Sequence, residues 1–77
     1  MTIDNDSRAY WAEQAILAFQ ATTGSGREDA LADLLCDLRH WADREGMSFA
    51  KENKRAKMHY DSEIEEDGGK CQRNHAG

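Results

Sequence analysis

Two cysteines and two of the three histidines fall into a repeated spacing, Cys36-x-x-x-His40 and Cys71-x-x-x-His75. On a helix, residues four apart point the same way, so each pair offers a thiolate and an imidazole in one direction. Two such pairs together could form a tetrahedral Cys2His2 zinc site. The tight Cys-x-x-Cys knuckle of established zinc patterns is missing. The plainer reading is therefore an incidental thiol and a surface imidazole, with no cofactor. Thiol redox chemistry has less to stand on, because only Lys70 and Arg73 are near enough in sequence to activate Cys71.

Carboxylates supply the second pattern. Asp29, Asp33 and Asp37 recur at every fourth residue, and Asp43 follows on the same polar side. On a helix, successive members lie about 6 Å apart along one ridge. Like charges at that spacing cost about 0.2–0.5 kcal/mol per pair. A ridge of this kind imitates a nucleic-acid backbone or docks on a basic protein groove. The alternative is an ordinary solvated face.

A third cluster, Lys54, Arg55, Lys57, His59 and Tyr60, mixes cations with rings and could stack on bases and touch phosphates. The net charge of −5 opposes direct nucleic-acid binding. The acidic ridge of another subunit suits this patch better. Catalysis finds no foothold. No serine, histidine and acid are placed together, and Gly24-Ser25-Gly26 lacks the strand and lysine of a phosphate loop. The expectation is a protein that is not an enzyme.

Composition narrows the elements that must carry these residues. With no Val or Pro and eleven Ala, the chain suits helices far better than sheets. Leu, Ile and Phe total ten of 77 residues, so little core exists to wall a large pocket. The longest apolar run, Ala15 to Phe19, is far too short to span a bilayer, so no membrane is expected. The acidic start lacks a basic leader segment, and two cysteines make no secreted disulfide framework. An intracellular, cytoplasmic and reduced setting is the expectation.

Residues 1–6 read as a polar lead-in, with Asp6 or Ser7 capping a first helix over about 7–22. Trp11, Ala12, Ala15, Ile16 and Phe19 form one stripe on it, and Tyr10, Leu17 and Ala21 a second on the opposite side. Ser25 and Glu28 form a capping box for a second helix over about 26–45. That helix carries a stripe of Leu31, Leu34, Leu35, Leu38 and Ala42, joined by Trp41, and Gly46 ends it. Ser48 caps a third helix over about 49–66, with Phe49, Asn53, Ala56, Tyr60 and Ile64 on one face. Its charge order is unusual. Lys51, Lys54, Arg55 and Lys57 come early, and Glu63, Glu65, Glu66 and Asp67 come last, the reverse of what the helix dipole favours. Either the last turn frays, or the charges serve a partner. The expected architecture is all-α: a small three-helix antiparallel arrangement over 1–67, with a flexible tail at 68–77. Apolar patches around Tyr10 and Leu17, and around Trp41, would be costly to leave wet, which predicts a homodimer.

Asp33 to Asp43 (DLLCDLRHWAD) and Ala56 to Glu63 (AKMHYDSE) resemble two blocks of small acidic helical proteins from bacterial phages, plasmids and integrated elements. With the first helix, the resemblance spans about residues 8–66. It implies no transferable activity or site. It implies the company of anti-CRISPR and anti-restriction proteins, several of which mimic DNA. The leading expectation is a binding protein that inhibits a host nucleic-acid-handling protein. Asp29, Asp33, Asp37 and Asp43 would steer and register it, with Trp41 and Tyr10 as anchors and Trp11 a further candidate. The competing expectation is a small metal-binding module using Cys36, His40, Cys71 and His75, or a structural, dimeric accessory protein.

Overall fold

The computed structural model describes residues 4–66 and contains three helices, α1 (Asn5–Thr23), α2 (Arg27–Arg44) and α3 (Phe49–Glu66). No strand occurs among the described residues. The expected tail at 68–77 lies outside them.

The first helix begins two residues earlier than its sequence signals suggest. Its cap is Asp4, not Asp6 or Ser7, and the Asp4 carboxylate accepts from the Ser7 N–H at 2.8 Å. The chain leaves α1 through Gly24 at φ 78, whose N–H donates to the Gln20 carbonyl at 2.8 Å. The capping box does not form. Gly26 is the residue before α2, no side chain caps it, and the Ser25 hydroxyl donates instead to Asp33 Oδ2 at 2.6 Å. The Ser25 hydroxyl is turned toward the Asp33 carboxylate, a charge-assisted bond of the stronger kind.

The end of α2 is a Schellman motif. The Met47 N–H donates to the Ala42 carbonyl at 2.8 Å and the Gly46 N–H to the Asp43 carbonyl at 3.2 Å, with Gly46 at φ 74. Ser48 caps α3 as expected, its hydroxyl accepting from the Lys51 N–H at 3.2 Å.

Each short turn reverses the chain, so consecutive helices run antiparallel, yet they are splayed. Asn5 Nδ2 donates to the Glu63 carbonyl at 3.1 Å, and Arg8 Nε lies 3.4 Å from Glu63 Oε2. The start of α1 therefore meets the end of α3. In rods stacked side by side those ends would stand about 27 Å apart, the length of 18 residues. The last turn of α3 persists to Glu66 and is tied to α1 through Glu63.

Splaying leaves the core smaller than the stripes promise. Ala30 (1 % exposed) and Ala42 (4 %) are the buried apolar residues among those described. Along the face of α2 that carries Ala42, exposure climbs away from the α2–α3 turn: Leu38 39 %, Leu35 43 %, Leu31 65 %. α3 is exposed at every residue from Ala50 to Ser62, so Ala56 and Tyr60 do not reach the core assigned to them. Trp11, placed on the inner stripe of α1 by spacing, is about half exposed. Ile16 and Phe19 remain half-buried, while Tyr10 and Leu17 of the second stripe face outward.

Candidate functional site

The acidic row lies on α2, and the fold treats its members differently. Asp29, Asp33, Asp37 and Asp43 are all exposed. Asp33 is engaged by the Ser25 hydroxyl. Together Asp33, Cys36 and Asp37 line a shallow open depression of about 270 Å³ with Phe19, Thr23, Gly24 and Ser25. The middle of the row thus borders the end of α1. The side chains of Asp29, Asp37 and Asp43 make no ion pair or hydrogen bond among the described residues.

Trp41 stands one helical turn beyond Asp37 and is exposed, so an apolar ring continues the carboxylate row. Tyr10 is exposed on α1. Both expected anchors are therefore available at the surface, on different helices. Cys36 is an exposed free thiol, and His40, one turn further, is also exposed. Cys71 and His75, the other half of the proposed zinc set, lie outside the described residues. Among those described, no three His, Cys, Asp or Glu side chains converge on a point.

Cations elsewhere are partly paired. Arg27 grips Glu13 through two bonds of 2.7 and 2.9 Å, which raise its pKa above the ordinary arginine value. Lys57 is held by Asp61 at 2.8 Å, and its pKa is raised by that bond. Arg55 bonds Glu52 at 2.7 Å. The Arg39 guanidinium lies over the Phe49 ring, 4.5 Å from its centre, and so fastens α2 to the start of α3. Lys51 and Lys54 form no ion pair among the described residues.

One polar cluster carried no signal in the sequence. Asn5 is 5 % exposed and sits between Arg8 and Glu63, accepting from Arg8 Nη1 at 2.9 Å while donating to the Glu63 carbonyl. It closes the α1–α3 corner. An asparagine in a polar lead-in has no local signature that separates such a latch from a solvated loop.

The described surface offers exposed carboxylates, exposed rings and a shallow depression. No helix among the described residues is long and apolar enough to cross a membrane. No family model matches this chain, and neither a curated protein nor a solved structure is found similar to it.

Proposed function

We propose that this chain is a non-catalytic, intracellular protein-docking module that binds and blocks a nucleic-acid-handling protein of a bacterial host. The observation that carries this reading is the Trp41 ring, exposed on α2 one helical turn beyond the exposed Asp37. Rings of this kind dominate interface energies. Carboxylates around them set orientation and association rate on a basic surface. Tyr10 on α1 supplies a second anchor. The acidic row is the part that would stand in for a phosphate backbone. The resemblance to small acidic proteins of mobile elements supports the choice of a host target.

The test is capture of a partner from nuclease-treated bacterial lysate at low and high salt, repeated with two variants of unchanged helicity. D29K/D37K should abolish salt-sensitive capture. W41A should weaken binding at least tenfold, about 1.4 kcal/mol or more, as an interface anchor does. Equal capture by wild type and both variants overturns the reading.

A further inference from the structure

The first helix is the least charged of the three in a heavily charged chain. Asp6, Arg8 and Glu13 are its three charged residues, against eight in α2 and nine in α3. After Arg8 the helix carries Glu13 alone as far as Thr23, and Arg27 holds that carboxylate with two bonds. The apolar residues of α1 run round its circumference instead of along one stripe. A helix of that kind is covered on more than one side. Within this chain one side is covered: Asn5 is buried, and Ile16 and Phe19 are half-buried. By the helical step, the outward side carries Tyr10, Trp11, Gln14, Leu17, Ala18 and Ala21, all of them exposed.

Charge decides what lies against that side. The chain carries a net charge of −5, so identical copies meet most favourably where each presents no charge. The outward side of α1 is such a surface. It also lacks the lysines and arginines with which an amphipathic helix holds an anionic membrane. Interfaces between identical copies are the more apolar kind, poor in charge at their centre and rich in aromatic rings. The face is complementary to itself as well. Gln14, Leu17, Ala18 and Ala21 have the i, i+3, i+4, i+7 spacing that frames a hollow on a helix, and the two alanines leave the hollow open. When two copies of α1 run antiparallel about a two-fold axis close to Gln14, Tyr10 of each comes level with that hollow on the other.

We infer that the occupant of this face is α1 of a second copy, antiparallel to the first. Tyr10 of each copy enters the hollow of the other, and Trp11 closes the rim beside Ala18. A side-chain amide both donates and accepts, so Gln14 pairs with its own image at the axis and is satisfied within an otherwise apolar contact. Trp41 and the acidic row lie on α2, outside this contact. Tyr10 belongs to both readings, so the substitutions that test this one leave it in place.

The experiment is the solution mass of the full chain, by light scattering or sedimentation over a concentration series. It compares wild type with Q14E, with Q14K, and with an equimolar mixture of the two variants. Gln14 is exposed, and Glu and Lys form helices as readily as Gln, so each variant should keep its helicity by circular dichroism. Alone, each variant sets two like charges against each other at the axis, and its self-association should weaken at least tenfold. In the mixture opposite charges meet there, so the dimer should return, and raising the salt should weaken that mixed dimer. A wild type that stays monomeric at every concentration overturns the proposal. So do variants that each dimerise as well as wild type, or a mixture no stronger than its components. D29K/D37K, on α2, should dimerise at least as well as wild type. Loss of target capture in that variant and loss of the dimer in Q14E therefore report on separate surfaces.

Discussion

At the scale of single residues, the corner between α1 and α3 depends on one buried amide. Asn5 uses its oxygen for Arg8 and its nitrogen for the Glu63 carbonyl. Asn5→Ala removes both bonds and leaves polar groups unsatisfied in a part-buried place. That should cost about 1–2 kcal/mol, read as a lowered urea midpoint. The Arg8–Glu63 pair is about one-third exposed on each side, so breaking it alone should cost less. The neighbouring cap responds to acid. The Ser7 N–H holds the Asp4 carboxyl below its ordinary value, so the folded pKa is lower than the unfolded one. The stabilisation is therefore complete above about pH 3.9 and is lost as pH falls through the lowered folded value. Helical circular dichroism followed from pH 5 to 2 should show this loss in wild type, and D4A should lack that component. Neither residue was legible beforehand. The cap moved two positions because Asp4, Asp6 and Ser7 all have capping chemistry, and only tertiary anchoring of Asn5 decides among them.

At the scale of elements, helix ends were legible wherever one local motif determines them. Gly46 stops α2 because a left-handed residue lets the Met47 and Gly46 amides reach back to carbonyls of the last turn. Gly46→Ala meets no steric obstacle, yet it places a Cβ at φ 74. It should cost about 1 kcal/mol, seen as a lower melting midpoint. Ser48→Ala should cost a similar amount, roughly 0.5–2 kcal/mol, by removing the cap of α3. Ser25→Ala should leave the start of α2 unaffected, because its hydroxyl serves Asp33 and not the helix amides. If Ser25→Ala shortens α2 by NMR, the capping box operates in solution after all. Spacing placed the three helices, but it could not assign their faces. Trp11 and Tyr60 fit apolar stripes by period and still point to the surface, since a period states which residues share a face and not whether a neighbour covers it.

At the scale of the whole molecule, three helices of 18 or 19 residues close on one another with two alanines as their buried apolar residues. A chain this small has scant net stability even when its core is well filled. Here Leu31, Leu35, Leu38, Trp41, Met58 and Tyr60 each keep between 39 % and 65 % of their surface exposed, so a large part of the apolar area available for stabilisation is unused by a single copy. Burying such side chains between two copies would couple folding to concentration, because anything that binds the folded form and not the unfolded one stabilises by mass action. The urea midpoint of wild type should then rise steadily as protein concentration is raised from about one micromolar to several hundred, by an amount set by the logarithm of concentration. A wild-type midpoint independent of concentration would mean that the Asn5 latch, the Arg39–Phe49 contact and the Arg27–Glu13 pair suffice to hold the splayed helices. Asn5→Ala would then be the most damaging of these substitutions.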